Sequence, residues 1–462
     1  MEDHLQLEPL QSVNPYTMQL LATYPQHGSD EVAQILAKSN ERFTLWSALP
    51  MANRRELSMN LAKQLENQKQ QLATLITSEM GKPISESLAE IEKCAWLCRH
   101  YSLPDSALLP TEQIDTEAKS VELIYEPLGV LFAIMPWNFP FWQVLRFSIP
   151  TLVAGNTVVL KHAPNVNGCA KAIEDLFLNA GFPQNVFSVL RISAKRSEEV
   201  IRNPIIKGVT LTGSENAGRA VAAMSGKYLK KVVLELGGSD AFILFEDADF
   251  MNSCTTGLNS RMLNSGQVCI AAKRFIVHES LYEQFIEFQI QALQQLHAGD
   301  PMNPETKLGP LARPDLVDNL ENQVSKSVEM GAKIKCGGGR HPEQPNIFLP
   351  TLLTNVGKGM PVYDDETFGP VMVVIPFSNE EQAIAMANDS RFGLGCSIWT
   401  ADIQRAKRLA PLIETGAVFV NSLVKSDPRI PFGGIKNSGF GKELAHAGIK
   451  EFMNLKTMWI NE

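Results

Sequence analysis

Short apolar segments alternate with longer segments of helical periodicity from Gly129 onward, and this alternation limits the possible folds. The apolar segments have the length of buried strands, and each is separated from the next by enough chain for a helix. The pattern predicts a parallel sheet with right-handed crossovers, which is the doubly wound α/β architecture. In the first half, strands are predicted at 130–135, 156–161, 186–190, 206–212 and 231–236, and helices at 141–154, at 167–180 and from Arg219.

The second half of the chain repeats this pattern. Two α/β lobes joined near Gly237 and Gly238 are therefore predicted, and no linker rich in Pro, Gly or Ser indicates independent domains. Ligands of such sheets bind beyond the carboxyl ends of the strands. Helices are predicted at 280–297, 314–330, 380–388 and 404–412, and strands at 332–336, 371–377, 397–400 and 417–421.

The chain before the first lobe is predicted to be mostly helical. After an irregular start, helices are predicted over residues 30–102, with an N-cap at Ser29 or Asp30. Residues 103–127 change in character and include VELIYEPLG, which predicts a strand or hairpin that projects from the body. An exposed strand tends to pair with another edge, so this segment is a candidate for an oligomer contact.

The composition argues against several classes of protein. Of the 462 residues, 44% are hydrophobic and 20% are charged, the profile of a globular protein. The net charge of -8 argues against a nucleic-acid partner. Because no apolar run has the length of a membrane span and the N-terminus lacks signal-peptide features, we expect a cytoplasmic location and no membrane partner. The seven cysteines are scattered and odd in number, which predicts neither a disulfide framework nor a metal site.

The segment NSGQVCIAAKR, residues 264–274, presents a candidate nucleophile. Cys269 lies between a glycine-containing turn and a short apolar run, and Lys273 and Arg274 follow it. A thiolate in such a place can be stabilised by backbone N–H groups and positive charge. A buried, inert cysteine is equally consistent with this segment alone.

Two further strand ends carry candidate functional groups. The strand at 206–212 leads into GSENAG, whose first and last residues are Gly213 and Gly218, and then into a helix. A phosphate could approach the helix N-terminus there, although the spacing GxxxxG is also that of a plain tight turn. Glu235 interrupts the apolar strand KVVLEL. A buried carboxylate is costly unless it is paired, neutralised or used, but the glycines that follow could also let it reach the surface.

Four motifs occur in order along the chain: MPWNFP at 135–140, LELGG at 234–238, GQVC at 266–269 and ETFGPV at 366–371. Together they resemble the aldehyde dehydrogenase superfamily. The resemblance covers nearly the whole chain, from Asn14 to PFGGIKNSGFG at 431–441. The stretches NFPFWQVLR, LKHAPN and GQVCIAAKR are particularly similar to the bacterial NAD(P)-dependent succinate-semialdehyde dehydrogenase branch.

The resemblance implies a Rossmann-like cofactor domain, a catalytic domain and a small β oligomerisation element. It assigns residues 1–108 and 128–236, with 427–454, to the dinucleotide-binding domain. The catalytic domain would be 237–426, and the oligomerisation element 109–127 with 455–462. Relatives use the equivalent hairpin and tail to form dimers or dimers of dimers, so we expect a homodimer or homotetramer.

The resemblance also implies a reaction. Cys269 would attack an aldehyde to form a thiohemiacetal, with the side-chain amide of Asn138 and the backbone N–H of Cys269 holding the oxyanion. Hydride would pass to a nicotinamide cofactor, and Glu235 would be the general base for hydrolysis of the thioester. We therefore expect oxidation of an aldehyde, in the first place succinate semialdehyde to succinate.

Cofactor residues follow from the same resemblance. NAD-selective relatives commonly carry Lys-Pro-Ser-Glu where this chain reads Lys161-His162-Ala163-Pro164. Pro164 has no charge to repel a 2′-phosphate, and His162 is the nearby candidate to attract one, so we expect NAD to be preferred and NADP to be accepted. The implied cofactor residues are Trp137, Lys161, Gly213, Ser214, Gly218, Glu366 and Phe368.

Arg146 is the candidate anchor for a substrate carboxylate. It lies eight residues after Asn138, matches an arginine of succinate-semialdehyde dehydrogenases, and has a fork that suits a carboxylate. Leu263 stands where several semialdehyde enzymes have a second arginine. Trp142 and Ser426 complete the expected substrate site, with Lys425 and Arg429 as alternatives to Ser426.

Other interpretations remain open from the sequence. Arg146 could instead be a surface or helix-packing residue. The enzyme could be a broader aliphatic or aromatic aldehyde dehydrogenase, with a tunnel lined by Phe141, Trp142, Phe147 and Leu263. A catalytically silent relative is disfavoured because Cys269, Glu235 and Asn138 occur together, and a Cys-His hydrolase is disfavoured because no histidine lies in a strand-end motif.

Overall fold

The computed structural model of the protein describes residues 7–105 and 109–461. Its first elements are two antiparallel strands, β1 (Leu10–Val13) and β2 (Leu20–Tyr24). The prediction of an irregular start was therefore wrong, because two strands this short are stabilised mainly by pairing with each other. Four helices follow: α1 (Ser29–Ala48), α2 (Met51–Asn67), α3 (Lys69–Met80) and α4 (Ile84–Ser102).

The cap of α1 differs from the predicted one by a single residue. Gly28 is the N-cap, not Ser29 or Asp30, and its N–H donates to the Glu31 carboxylate at 2.8 Å. The carboxylate also lies in the first turn of the helix, where negative charge is favoured.

The first α/β lobe follows a short antiparallel pair of strands. The predicted alternation of strands and helices is confirmed here, and each predicted strand overlaps an observed one. The elements are β3 (Glu112–Gln113), β4 (Ser120–Pro127), β5 (Val130–Met135), α5 (Trp142–Ala154), β6 (Thr157–His162), α6 (Asn167–Asn179), β7 (Phe187–Val189), α7 (Ser197–Ile201), β8 (Ile206–Thr212), α8 (Glu215–Lys227) and β9 (Lys231–Glu235).

Helix α8 begins four residues before the predicted start at Arg219. The Ser214 hydroxyl caps it by accepting from the Ala217 N–H at 3.3 Å, so the helix begins directly after the strand-end glycine. The glycine-containing turn and the helix N-terminus are therefore adjacent, as a phosphate site would require.

The second lobe repeats the alternation and ends in a strand that leaves the body. Sequence analysis did not identify the strand and helix just after residue 239 or the strand after Cys269. The elements are β10 (Asp240–Leu244), α9 (Phe250–Met262), β11 (Ala272–His278), α10 (Tyr282–Gln294), α11 (Pro314–Glu329), β12 (Lys333–Cys336), β13 (Thr351–Thr354), α12 (Pro361–Asp364), β14 (Val371–Phe377), α13 (Glu380–Asn388), β15 (Phe392–Gly393), β16 (Gly395–Trp399), α14 (Ile403–Leu409), β17 (Ala417–Val420), β18 (Ile435–Lys436), β19 (Gly439–Phe440), α15 (Ala445–Lys450) and β20 (Met453–Ile460).

Two large sheets carry the two lobes. The first has the order β19-β9-β8-β5-β6-β7 and is parallel except for β19. The second has the order β12-β13-β14-β11-β10-β16-β17 and is parallel except for β12. This topology confirms the doubly wound α/β class. The chain passes from one sheet to the other between Glu235 and Asp240, as predicted.

A third, antiparallel sheet has the order β20-β4-β3. It confirms the predicted hairpin within residues 103–127, of which 106–108 lie outside the described residues. The predicted domain boundaries remain predictions. Within the described residues, no helix is long and apolar enough to cross a membrane.

A buried carboxylate holds the start of α5. Glu90 on α4 accepts the backbone N–H groups of Phe141 and Trp142 at 2.8 and 2.9 Å. The same carboxylate forms a buried ion pair with Lys82, whose ammonium lies 3.7 Å from the Phe139 ring centroid. Negative charge at a helix N-terminus is favourable, and the pair avoids an uncompensated buried charge. Glu90 therefore fixes the MPWNFP turn against α4.

Replacing Glu90 with Gln should destabilise the protein strongly. The substitution leaves the buried Lys82 ammonium without its partner, which costs on the order of 3–5 kcal/mol. We expect the midpoint of thermal unfolding to fall by roughly 5 °C or more. Glu92→Gln is the matched control, because Glu92 is exposed on the same helix and pairs with Lys69 at the surface. A Glu90→Gln midpoint equal to that of the control would contradict the role of Glu90.

Candidate active site

A cavity of about 410 Å³ opens beside Cys269 and is lined from both halves of the chain. Helices α4 and α5 form one wall, and the loop before Cys269 and residues 423–426 form the others. Much of the lining is apolar, but Arg146 and Lys93 bring cationic groups to it. An apolar cavity with a few polar groups is the usual form of a small-molecule site.

Cys269 lies in the loop between α9 and β11. Asn264 and Ser265 precede it in the left-handed region, each with φ of 53°, and Gly266 has φ of 77°. A Cβ on Gly266 would overlap the Gly369 carbonyl, so only glycine fits there. The Glu86 carboxylate on α4 accepts the Asn264 N–H at 2.7 Å. The Glu86 carboxylate on one side and the Gly369 backbone on the other thus hold this strained loop in place.

Arg261 joins the Cys269 loop to the ETFGPV motif. Its guanidinium is fully buried and donates to the Gly266 carbonyl at 2.9 Å, to the Thr367 carbonyl at 3.2 Å and to the Gly369 carbonyl. Burial lowers the Arg261 pKa to about 9. Sequence analysis missed this residue, because an arginine near the end of a helix carries no motif signal.

The thiol of Cys269 is partly exposed to the cavity. Burial raises its pKa to about 11, and the cations of Arg146 and Lys273 oppose that rise. Lys273 also donates to the carbonyls of Val268 and Cys269 at 2.9 and 2.7 Å, which fixes the backbone on either side of the thiol. The thiol is accessible, but it requires further stabilisation of its negative charge to react quickly at neutral pH.

Asn138 lies against the loop of Cys269, as predicted for a residue of the oxyanion site. Its side-chain amide donates to the Gln267 carbonyl at 3.1 Å, and the Asn264 amide donates to the Asn138 carbonyl at 2.8 Å. One N–H of the Asn138 amide remains for a ligand. The backbone N–H of Cys269 also meets no acceptor among the described residues. Each predicted donor therefore keeps an N–H without an acceptor among the described residues, and the Asn138 amide is bonded to the segment that carries Cys269.

Glu235 is the last residue of β9 and is 2% exposed, so it does not swing to the surface. Neither carboxyl oxygen has a hydrogen-bond partner among the described residues. Burial, and next the neighbouring Glu443, raise the Glu235 pKa well above its usual value. Its carboxyl lies beside Gly433.

Arg146 lies on α5, where its side chain both packs against neighbouring residues and lines the cavity. Its Nε donates to the Glu443 carboxylate in a buried ion pair, and its guanidinium lies 4.6 Å from the Phe432 ring centroid. Its Nη2 has no acceptor among the described residues, and the side chain lines the cavity. Helix packing and ligand binding are both compatible with this position.

Ser426 and Trp142 both line the cavity, and both contact Lys93, a residue that sequence analysis missed. The Ser426 hydroxyl lies 3.0 Å from Lys93 Nζ and 3.1 Å from Trp142 Nε1. Lys93 is on α4, seven residues after Glu86 and three after Glu90. This helical spacing of charged groups on a largely buried helix was the signal that could have identified it.

The alternatives to Ser426 are placed differently from each other. Arg429 pairs with Asp427 at 2.6 Å and lies 5.5 Å from the Trp96 ring centroid, outside the cavity lining. Lys425 lines the cavity, as does Leu263.

Lys161, near the end of β6, is suited to an anionic or hydroxyl-bearing ligand. Its buried ammonium has only the His162 carbonyl, at 3.5 Å, as a hydrogen-bond acceptor among the described residues. Burial lowers its pKa to about 8. A buried ammonium without a carboxylate is unfavourable unless a ligand completes it, which fits the implied contact with a cofactor ribose.

The turn before α8 fits the expected pyrophosphate site. Gly213 donates its N–H to the Glu235 carbonyl at 3.0 Å, which aligns the turn with the end of β9. A Cβ on Gly218 would overlap the Leu236 side chain, so glycine allows α8 to pack closely on that strand end. Gly213 and Ser214 lie together at the exposed helix start, and Gly218 supports that helix.

Glu366, Trp137 and Phe368 gather at one edge of the cleft. The Glu366 carboxylate accepts the Gly238 N–H at 3.1 Å and lies 3.4 Å from Lys273 Nζ. Trp137 and Phe368 make an edge-to-face contact with centroids 5.8 Å apart. A Cβ on Gly237 would overlap Glu366, so the LELGG motif leaves room for that carboxylate. These three residues are brought together as the resemblance implies.

His162 does not attract a phosphate, contrary to the sequence-based expectation. Its ring is buried, with Nδ1 3.2 Å from the Met135 carbonyl and Nε2 2.9 Å from the Pro140 carbonyl. Burial lowers its pKa to about 4, so it is neutral at pH 7. Among residues 7–105 and 109–461, no group of three His, Cys, Asp or Glu side chains is placed to hold a metal ion.

The two parallel sheets and the cavity beside the partly exposed thiol of Cys269 form an α/β protein with a small-molecule site. Residues 3–458 match the model of the Aldehyde dehydrogenase family. The chain belongs to the aldehyde dehydrogenase family, whose enzymes oxidise aldehydes with NAD or NADP.

Similar proteins include several named for one substrate. A probable succinate-semialdehyde dehydrogenase (NADP+) of Synechocystis sp. is 46% identical over 97% of this chain and 99% of its own. The succinate semialdehyde dehydrogenase (NAD(P)+) Sad of Escherichia coli is 42% identical, with 97% of each chain covered. The crystal structure of a succinic semialdehyde dehydrogenase of Streptococcus pyogenes with NADP+ has a TM-score of 0.95 and 35% identity, covering 98% of this chain and 100% of that one.

Alkylation of Cys269 in the protein without cofactor should accelerate with pH. Because burial raises the thiol pKa to about 11, the thiolate fraction grows about tenfold per unit from pH 7 to 9. The rate of iodoacetamide modification at Cys269, followed by peptide mass mapping, should rise in the same proportion. Cys336, which is also partly exposed, is a reference thiol in the same samples. A plateau of the Cys269 rate below pH 8 would contradict the raised pKa.

Proposed function

We propose that this aldehyde dehydrogenase oxidises succinate semialdehyde to succinate. The observation that carries the proposal is the cavity beside Cys269, whose largely apolar wall presents the cations of Arg146 and Lys93 and the hydroxyl of Ser426. Such a set suits a short apolar chain that ends in a carboxylate. The names of the relatives from Synechocystis sp. and Escherichia coli support the same substrate.

In the proposed reaction the Cys269 thiolate attacks the aldehyde carbon and forms a thiohemiacetal. The oxyanion would accept hydrogen bonds from the Asn138 amide, which is bonded to the segment before Cys269, and from the Cys269 backbone N–H. A nicotinamide cofactor held by Lys161, Ser214 and Glu366 would supply the acceptor for the hydride that leaves the thiohemiacetal. Water then attacks the thioester carbonyl and gives a proton to Glu235, and the C–S bond breaks to release the acid and the thiolate.

The proposed cofactor is NAD, with NADP also used. Lys161 would hold the adenosine ribose, Gly213 and Ser214 would face the pyrophosphate, and Glu366 would hold the nicotinamide ribose. Trp137 and Phe368 would line the adjoining wall, and Gly218 would let the helix pack behind the pyrophosphate. Pro164 leaves no carboxylate to repel a 2′-phosphate, and relatives are named for NADP(+) or NAD(P)+.

We propose a homodimer or homotetramer built on the sheet β20-β4-β3. The support is the exposure of large apolar side chains along β20, among them Leu455, Trp459 and Ile460. Apolar groups on a projecting strand are usually covered by a partner. The cytoplasmic location stays a prediction from the sequence.

The enzyme should prefer succinate semialdehyde to butanal, which has the same chain length without the carboxylate. Charge-assisted contacts to the carboxylate should raise kcat/KM roughly 100-fold over that for butanal. Steady-state rates of cofactor reduction at 340 nm provide both values. Equal kcat/KM values would instead favour a broader aliphatic or aromatic aldehyde dehydrogenase.

Replacing Glu235 with Gln should stop the reaction at the thioester. The variant retains the Cys269 thiol and should form about one equivalent of reduced cofactor per active site in a burst. The steady-state rate should then fall by about 100-fold or more, since no base activates water. Rapid-mixing absorbance at 340 nm measures both phases. Loss of the burst together with the steady state would show that Glu235 acts before hydride transfer and would contradict its proposed role.

A further inference from the structure

Lys93 takes no part in the bond-forming and bond-breaking steps described above, but it lines the substrate cavity. Its ammonium reaches the cavity from α4 and lies 4.0 Å from the Trp142 ring centroid and 3.0 Å from the Ser426 hydroxyl. We propose that Lys93 supplies the positive charge by which the enzyme selects an aldehyde bearing a remote carboxylate. The inference rests on the proposed oxidation of succinate semialdehyde and names the residue that determines its specificity.

Arg146 is a less suitable source of that net charge. Its guanidinium forms a buried ion pair with Glu443, so the pair as a whole is close to neutral. It can still offer a hydrogen bond through Nη2, which has no acceptor among the described residues. A neutral ion pair attracts a carboxylate only weakly, whereas an uncompensated cation attracts it strongly. An uncompensated cation therefore distinguishes succinate semialdehyde, which carries a carboxylate, from butanal, which does not.

Lys93, in contrast, forms no ion pair within the described residues. The two carboxylates that influence its pKa, Glu90 and Asp427, each pair with another cation, Lys82 and Arg429 respectively. An ammonium has three N–H donors. Ser426 accepts one and the Trp142 face attracts the group as a whole, which leaves donor capacity for a ligand.

The surroundings of Lys93 also fix its position. Trp142 is buried, and its Nε1 donates to the same Ser426 hydroxyl at 3.1 Å. The ring and the hydroxyl together restrict the long lysine side chain, which reduces the entropy lost when a ligand binds. Ser426 thus acts with Lys93, and its hydroxyl orients the ammonium as well as facing the cavity.

The charge on Lys93 should depend on pH in the range of an ordinary assay. Burial and then the neighbouring Arg146 on α5 lower the Lys93 pKa to about 8, against the opposing effects of Cys94 and Glu90 on its own helix and Asp427 after β17. The ammonium is present below that pH and is lost as pH rises through it. The ratio of kcat/KM for succinate semialdehyde to that for butanal should therefore fall above pH 8. Because Cys269 and Glu235 act on both substrates, the effects of their titration on kcat/KM cancel in this ratio.

The test is Lys93→Met, which keeps much of the side-chain length and removes the charge. At pH 7 we expect the kcat/KM ratio of succinate semialdehyde to butanal to fall roughly 10- to 100-fold, mainly through KM, and the ratio to become independent of pH. Arg99→Met is the matched control, because Arg99 lies on the same helix and pairs with Glu66 away from the cavity lining. It should keep the wild-type ratio.

The outcomes separate this inference from the proposed function. A wild-type enzyme without preference for succinate semialdehyde would overturn the proposed function itself. A wild-type preference that persists in Lys93→Met, or that stays constant from pH 7 to 9.5, would overturn the role of Lys93 alone. Butanal turnover and the thermal midpoint report whether Lys93→Met folds. If it does not, Lys93→Gln and the pH dependence of the wild-type ratio still decide the question.

Discussion

Carboxylates on α3 and α4 that accept backbone N–H groups from other segments hold the active site together. Glu90 holds the start of α5, Glu79 accepts two N–H groups at the start of α6, and Glu86 accepts the Asn264 N–H in the strained loop before Cys269. A carboxylate in the protein interior is unfavourable unless it is bonded, and here the partners are backbone groups that also lack other acceptors. Helices α3 and α4 therefore set the positions of the MPWNFP turn, the start of α6 and the loop before Cys269 together.

Two largely buried ammonium groups without a carboxylate partner among the described residues support the proposed binding sites. Glu443 neutralises Arg146, and Glu366 lies 3.4 Å from Lys273. Within the described residues, Lys161 and Lys93 are ammonium groups with lowered pKa and no carboxylate in contact. Desolvation without a partner is costly for a cation, and a ligand can offset it by bringing an anion or a hydroxyl. Lys161 lies at the expected cofactor ribose and Lys93 lines the cavity beside Cys269, so each proposed binding site contains one such ammonium.

The strands that carry the site could be predicted from the sequence because they are apolar, short and evenly separated by helices. The predicted and observed bounds agree for 130–135 and 206–212. The pair β1 and β2 was missed because its stability comes from cross-strand pairing, which a local pattern does not contain. Lys93 was missed for a related reason, since its contacts with Trp142 and Ser426 bring together segments that are distant in the sequence. His162 was misjudged because the direction of a side chain at a strand end depends on the carbonyls around it.

The surroundings of Glu235 bear directly on its proposed role. The carboxyl is buried beside Gly433, and burial together with the neighbouring Glu443 raises its pKa well above the usual value. A raised pKa favours the protonated acid, which does not activate water. The proposed role of Glu235 as a general base therefore requires the loss of a proton that its burial and the neighbouring Glu443 oppose. A position nearer to solvent or farther from Glu443 would favour that loss, because both causes of the raised pKa would be weaker there.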